Sequence, residues 1–223
     1  MLSHLELLKY CLASYAGNVD SFRKELRILG KIDSYYGDSL HKYTVELDDC
    51  YVIVFRGSEN KFDFFNDIAI RSVDFNGTNI HAGFLDQLSA EAFPRLDFDF
   101  KKKIYLTGHS LGGALATIFA DKLATYQFAI YQHADIELIT FAAPKCGALS
   151  FKQQIELKLE DNITNYVCGD DIVPSLPPRY VKVGKEIKIG KKHSWWNPLK
   201  YYHLFKDHSI YEYLKSMGFN NNA

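Results

Sequence analysis

The sequence predicts an α/β fold with a mostly parallel central sheet that is flanked by helices. Strand-like apolar runs alternate with helical segments along the chain, which is typical of parallel sheets covered on both faces. A length of 223 residues fits a single domain spanning residues 1–223. Hydrophobic residues make up 47% and charged residues 24%, as in ordinary globular proteins. The net charge of -1 gives no reason to expect a nucleic-acid partner.

The N-terminal segment is predicted to form an amphipathic helix. Apolar side chains recur there at helical spacing, at Leu5, Leu8, Leu12 and Tyr15. Ser3 followed by Glu6 is typical of a capping box that starts a helix. The segment lacks a basic leader region, and Glu6 and Lys9 interrupt its apolar run. We therefore expect no conventional export signal, which favours an intracellular protein. No run of about 20 apolar residues predicts a membrane span.

The remaining elements are predicted from runs of apolar residues and turn signals. In order they are a hairpin of strands 43–47 and 51–55, a loop over 56–80, a helix over 83–92, a strand at 103–107, a helix over 111–126, a strand at 136–141, a helix over 149–160 and a strand at 163–167. Parallel sheets place their chemistry in the loops beyond the carboxyl ends of the strands. Candidate functional residues are therefore sought there.

The cysteines show no metal-binding pattern. They are Cys11, Cys50, Cys146 and Cys168. Their spacing is wide and irregular, without a CxxC pair, which makes a zinc knuckle a poor interpretation. We expect buried free thiols, although the spacing also permits a disulfide.

One segment carries the strongest chemical signal. Residues 108–112 read Gly-His-Ser-Leu-Gly, a GxSxG pattern between a strand-like run and a helix-forming run. The pattern alone occurs by chance in roughly one chain in ten of this length, but the strand–turn–helix context is the one in which it exposes a nucleophilic serine. Gly108 and Gly112 are expected where strand and helix approach too closely for a Cβ atom. Ser110 is therefore the candidate nucleophile.

A serine hydroxyl needs a base within hydrogen-bonding distance and a carboxylate that orients the base. In folds with this turn, an acid and then a histidine follow the serine along the chain. Asp170 and Asp171 follow a predicted strand, and either can serve as the acid. Among the later histidines, His203 and His208 are nearly equal candidates on residue pattern alone.

Five segments together resemble the class 3 lipases, a triacylglycerol-lipase branch of the α/β-hydrolases. They cover residues 52–58, 81–85, 104–114, 171–178 and 207–211, in the order that the family has them. The resemblance implies the α/β-hydrolase fold, with Asp171 as the acid and His208 as the base. It also implies an oxyanion hole formed by Ser58 and by the backbone N–H of Leu111. Ala142 departs from the family, which usually has glycine there.

The resemblance further implies a lipid or other carboxylic-ester substrate and no metal or organic cofactor. Residues Phe62, Phe64, Phe65 and Ile68 are spaced as on one face of a short helix. That helix is either a mobile lid that meets a lipid surface transiently or an ordinary packed surface helix. Three alternatives to a lipase stay open, namely a phospholipase, an esterase for soluble esters and a non-catalytic binding protein on a hydrolase fold. The sequence does not indicate the oligomeric state.

Overall fold

The computed structural model describes residues 1–28, 30–37, 40–58, 72–75, 77–88, 98–129, 135–193 and 200–219. Within these ranges, no helix combines the length and the apolar character that crossing a bilayer requires.

A twisted central sheet organises the chain. In the described part of the chain it has seven strands, ordered β1-β2-β3-β6-β7-β8-β9. The strands are β1 (Lys31–Tyr36), β2 (His41–Glu46), β3 (Cys50–Phe55), β6 (Lys103–His109), β7 (Ile136–Phe141), β8 (Ile163–Cys168) and β9 (Lys185–Ile189). Strands β1 to β3 are antiparallel, whereas β3, β6, β7, β8 and β9 are parallel. The carboxyl ends of these five strands therefore meet at one edge.

Helices cover both faces of the sheet. They are α1 (His4–Ala13), α2 (Val19–Leu26), α3 (Ala82–Gln87), α4 (Leu111–Ala129), α5 (Leu149–Leu159), α6 (Lys200–Lys206) and α7 (Ile210–Ser216). One apolar cluster joins α3, α4 and α5 to one face, and a second joins α1, α2 and α7 to the other. Alternate residues of β3 enter different clusters, Ile53 the first and Val54 the second. Both faces of the strand are therefore buried, which explains its unbroken apolar sequence. The predicted fold class is confirmed.

The sequence prediction is wrong at the edges of the sheet. Strands β1 and β9 were missed because their side chains are mostly half-exposed or exposed, so their sequences carry many polar residues and no clear apolar run. The predicted loop over 56–80 contains β4 (Ser72–Phe75) and part of β5 (Thr78–His81), which form a separate two-stranded sheet. The helix predicted over 83–92 is described over Ala82–Gln87.

Candidate active site

Ser110 occupies a sharp turn between β6 and α4. It is the single residue between the end of the strand at His109 and the start of the helix at Leu111. Its φ of 57° lies in the left-handed region, which costs a residue other than glycine about 1–2 kcal/mol. Its N–H donates to the carbonyl oxygen of Phe141 at 2.9 Å, which ties the turn to β7. Such strain persists only where surrounding structure imposes it, and it is concentrated at functional sites.

The two glycines of the turn lie where the backbone segments touch. A Cβ atom on Gly108 would lie 2.3 Å from the carbonyl carbon and oxygen of Gly112. A Cβ atom on Gly112 would lie 2.1 Å from the carbonyl oxygen of Phe55 in β3. Real Cβ atoms do not approach other atoms so closely. Any side chain at either position would therefore displace α4 from the sheet.

Three side chains form a continuous hydrogen-bonded chain. The Oγ atom of Ser110 lies 2.8 Å from Nε2 of His208. The Nδ1 atom of His208 lies 3.1 and 3.0 Å from the two carboxylate oxygens of Asp171. None of the three residues is more than 5% exposed. Since a carboxylate only accepts, Nδ1 carries the proton and Nε2 is left to accept from the serine hydroxyl.

Two further donors fix the Asp171 carboxylate. The hydroxyl of Tyr213, on α7, donates to Oδ2 at 2.7 Å, and the N–H of Val173 donates to Oδ1 at 3.0 Å. Burial, and then the negative charge of Asp171, raise the pKa of Tyr213 well above its usual value. The phenol therefore stays protonated and remains a donor. Nothing in the local sequence around Tyr213 separates it from an ordinary core tyrosine, so the sequence does not predict this contact.

His109 contacts the backbone of the candidate base, His208. Its Nε2 donates to the carbonyl oxygen of His208 at 3.0 Å, and the two rings lie 5.1 Å apart. Its Nδ1 lies 3.0 Å from the hydroxyl of Tyr15, at the end of the N-terminal helical segment. Since Nε2 donates, Nδ1 of a neutral His109 accepts from that hydroxyl. The N-terminal segment is thereby linked to the base. His109 is the variable residue of the GxSxG pattern, so the pattern gave it no role.

Ser58 and Leu111 lie at the same edge of the sheet. Phe55 pairs in parallel with Gly108, so residues 56–58 and the serine turn both follow the ends of neighbouring strands. A Cβ atom on Gly57 would lie 2.6 Å from the carbonyl oxygen of His109, which shows how closely the two loops approach. Leu111 is the first residue of α4, so its N–H has no acceptor within the helix.

The rival acid, Asp170, and the rival base, His203, both contact His193 instead of Ser110. The carboxylate of Asp170 accepts from the N–H of His193 at 2.7 Å. The ring of His193 stacks on that of His203, with centroids 3.4 Å apart. The side chain of Asp170 is only 13% exposed, so the second carboxylate of the pair does not face open solvent. The turn at Gly169 (φ 51°) directs neighbouring carboxylates to different histidines.

The predicted lid lies outside the described residues. Phe62, Phe64, Phe65 and Ile68 all fall within 59–71, so the lid stays a prediction.

The cysteines are not competing nucleophiles. All four are buried and free of disulfides, which confirms the prediction of buried free thiols. Burial raises the pKa of Cys11 and Cys146 to about 12 and that of Cys50 and Cys168 to about 11. Only the thiolate is an effective nucleophile, and it is scarce at neutral pH when the pKa is this high.

Comparison with known proteins identifies the family. The family model "Lipase (class 3)" matches residues 52–181, more than half of the chain. The chain belongs to the class 3 lipase family. This class 3 lipase family member is 26% identical over 184 residues to the putative lipase LIH1 of Saccharomyces cerevisiae, covering 63% of this chain and 54% of that protein. It is 32% identical over 150 residues to a lipase of Rhizomucor miehei, covering 61% of this chain and 41% of that one.

Solved structures agree with the family assignment at the level of the fold. The triacylglyceride lipase of Rhizomucor miehei superposes with a TM-score of 0.67 at 23% identity, over 83% of this chain and 78% of that one. Lipase II of Rhizopus niveus gives a TM-score of 0.66 at 23% identity, over 86% and 78%. The chain spans about half the length of the curated relatives it matches. The shared fold is the α/β-hydrolase fold.

Proposed function

We propose that this class 3 lipase family member hydrolyses carboxylic esters of lipids, with Ser110 as the nucleophile. The observation that carries the proposal is the unbroken chain from the Ser110 hydroxyl through His208 to Asp171, with separations of 2.8 and 3.0 Å. These are hydrogen-bonding distances, and the order of groups is the one that activates a serine hydroxyl.

The first half of the proposed reaction transfers the acyl group to the protein. Ser110 Oγ attacks the ester carbonyl carbon while His208 Nε2 takes the hydroxyl proton. Asp171 orients the ring and stabilises the imidazolium that forms. The tetrahedral intermediate then expels the alcohol, which receives the proton from His208. The ester bond breaks, and an acyl-enzyme remains on Ser110.

The oxyanion of that intermediate needs donors on the opposite side from the base. The N–H of Leu111 is proposed as one, since it follows the nucleophile directly and begins α4. Ser58 is proposed as the other, through its N–H or its hydroxyl. One such donor is typically worth about 10²–10³ in rate. In the second half, His208 deprotonates a water molecule, which releases the fatty acid and restores the Ser110 hydroxyl.

Hydrolysis of p-nitrophenyl esters of graded acyl length tests the proposal. The wild type is expected to hydrolyse at least one chain length, and Ser110→Ala is expected to retain only background activity. Ser175→Ala is a matched control, because Ser175 is exposed and lies outside the triad. A folded wild type that cleaves none of the esters would contradict the proposal, as would Ser110→Ala with undiminished activity.

A phospholipase is the second candidate, favoured by the similarity to two proteins named phospholipase A1. The chain is 25% identical over 179 residues to the protein named phospholipase A1-II 4 of Oryza sativa, covering 64% of this chain and 44% of that one. Release of fatty acid from phosphatidylcholine vesicles, measured beside release from triacylglycerol emulsions, separates the two. Faster release from vesicles would favour the phospholipase. A rate that rises steeply when a short-chain ester passes from monomers to micelles would support the predicted lid.

A further inference from the structure

A second group of ionisable side chains lies directly beside the triad. His193, His203 and Asp207 each offer one ligand atom, and these atoms all lie within 4.8 Å of one another. Asp170 adjoins them, because its Oδ2 lies 3.2 Å from Nδ1 of His193. None of these four residues belongs to the triad. We call them the His–Asp cluster.

The fold brings the His–Asp cluster together from three segments. His203 and Asp207 are four residues apart at the end of α6, and the N–H of Asp207 donates to the carbonyl oxygen of His203 at 2.9 Å. That spacing places both side chains on one helical face, as in many helical metal-ligand pairs. Asp170 comes from the turn after β8, and His193 follows β9. A Cβ atom on Gly169 would lie 2.3 Å from Oδ2 of Asp207, so the absence of a side chain there admits that carboxylate.

The cluster has an unsatisfied nitrogen. Nδ1 of His203 is buried and has no hydrogen-bond partner. A buried polar atom without a partner costs about 1–3 kcal/mol, which makes it a place where an unseen ligand is expected. In the tautomer that carries its proton on Nε2, this nitrogen offers a lone pair to a metal ion.

The charge of the cluster is also unbalanced. Within the described residues, the only basic side chain within 4.0 Å of the carboxylates of Asp170 and Asp207 is that of His193, which carries a charge only when it is protonated. The side chains of the two aspartates are 13% and 8% exposed. Two negative charges therefore share one imidazole in a largely buried place. A divalent cation would neutralise both.

We propose that the His–Asp cluster binds a Zn²⁺ ion, or a similar first-row transition-metal ion. Two imidazoles with two carboxylates, or with one carboxylate and a water molecule, form a tetrahedral set that zinc accepts, whereas calcium and magnesium prefer all-oxygen sets. Ligand atoms about 2.0–2.1 Å from zinc lie roughly 3.3 Å from each other in a tetrahedron. Nδ1 of His193 lies 3.2 Å from Oδ2 of Asp170 and 3.7 Å from Oδ2 of Asp207.

Binding changes two features of the cluster. The ion takes the place of the proton that His193 shares with the aspartates. The stacked rings of His193 and His203 are nearly parallel, at 9°, so one of them turns about its Cβ–Cγ bond to bring both lone pairs to the ion.

The proposed ion is structural, because it joins the segments that carry the acid and the base. Asp170 precedes Asp171, and Asp207 precedes His208. The N–H of Asp170 already donates to Oδ2 of Asp207 at 2.8 Å, so the two segments are in contact at this point. An ion held by both would strengthen that link without contacting Ser110. Its presence is therefore testable independently of ester hydrolysis.

Equilibrium dialysis of the tag-free full chain against Zn²⁺, followed by metal analysis, tests the proposal. We expect one equivalent per chain, and Co²⁺ in its place is expected to give the intense visible bands of a tetrahedral site. His193→Asn and His203→Asn are each expected to weaken binding by about 10- to 100-fold or more. His4→Gln is the matched control, because its imidazole contacts Tyr166 and Glu137 instead of the cluster.

Two results would overturn the proposal. One is a folded wild type that retains no ion after dialysis and shows no tetrahedral cobalt spectrum. The other is binding that His193→Asn leaves unchanged or that His4→Gln weakens equally. If far-UV circular dichroism shows that His203→Asn does not fold, Asp170→Asn replaces it, since Asp170 lies in a turn with a partly exposed side chain. Unchanged affinity in both His193→Asn and Asp170→Asn would then decide against the site.

Discussion

The acid and the base of the triad lie on the same two segments as Asp170, His203 and Asp207 of the His–Asp cluster, yet the two groups differ in burial and in hydrogen bonding. Asp170 and Asp171 are neighbours, and so are Asp207 and His208. The triad residues are at most 5% exposed, and each proton has an acceptor aligned with it. In the cluster, by contrast, the side chain of His193 is 28% exposed and His203 retains an unpaired nitrogen.

The difference shows that two adjacent aspartates, Asp170 and Asp171, contact different histidines because the backbone points their side chains in different directions. A left-handed glycine precedes the two aspartates, and Asp207 and His208 both lie in the short junction between α6 and α7. One histidine then contacts a strained serine, and the other contacts a second histidine. Matched substitutions, one in the triad and one in the His–Asp cluster, test whether only the triad takes part in catalysis.

The largest expected effect comes from the two candidate bases. His208→Ala is expected to lower kcat by about 10⁵- to 10⁶-fold, because Ser110 then has no proton acceptor. His203→Ala should stay within about tenfold of the wild type, since its ring does not contact the serine. Ester hydrolysis under saturating substrate measures both. Similar losses of kcat in the two variants would contradict the assignment of His208, and not His203, as the base.

The two aspartates give the next largest contrast. Asp171→Asn is expected to lower kcat by about 10⁴-fold, because an amide can donate to Nδ1 and favour the tautomer that cannot accept from Ser110. Asp170→Asn should change kcat by less than about tenfold. Thermal unfolding of both variants serves as the control for folding. A greater loss in Asp170→Asn would mean that the acid is misassigned.

The sequence predicted the parts of the molecule that carry unbroken apolar runs or a local motif. Buried strands such as β7 and the serine turn were predicted well because their residue patterns follow from packing on both faces and from steric limits on glycine. The choice between Asp170 and Asp171 needed the family resemblance, because both residues follow the same strand. Only the course of the backbone in the turn decides which carboxylate faces His208, and the local sequence does not reveal that course. Tyr213 and Tyr15 were missed because their partners are distant in sequence.

A smaller effect is expected at Tyr213, whose hydroxyl donates to the candidate acid and not to Ser110 or His208. Tyr213→Phe removes one hydrogen bond to the buried carboxylate while His208 and Val173 still hold it. Hydrogen bonds to charged groups are worth about 1.5–3 kcal/mol, so a loss of roughly 10- to 100-fold in kcat is expected, with KM nearly unchanged. Tyr211→Phe is the matched control, because Tyr211 is 60% exposed on the same helix. A change confined to KM would contradict the proposed positioning role.

The smallest effect is expected from the thiols. Because burial raises their pKa to about 11–12, their thiolate fraction at pH 8 is low, and the cysteines should resist N-ethylmaleimide in the native state. Ester hydrolysis should be unchanged after such treatment. Mass spectrometry counts the adducts, and treatment after denaturation shows that all four thiols can react. Rapid native alkylation with loss of activity would indicate that a cysteine takes part.

Labelling with a fluorophosphonate tests most directly whether His208 activates Ser110, because the reagent bonds rapidly only to an activated serine. The wild type is expected to gain the mass of one phosphonyl group, located on the peptide that contains Ser110, while Ser110→Ala and His208→Ala stay unlabelled. The account would be contradicted by a folded wild type that does not react, or by a Ser110→Ala variant that is labelled as fast as the wild type.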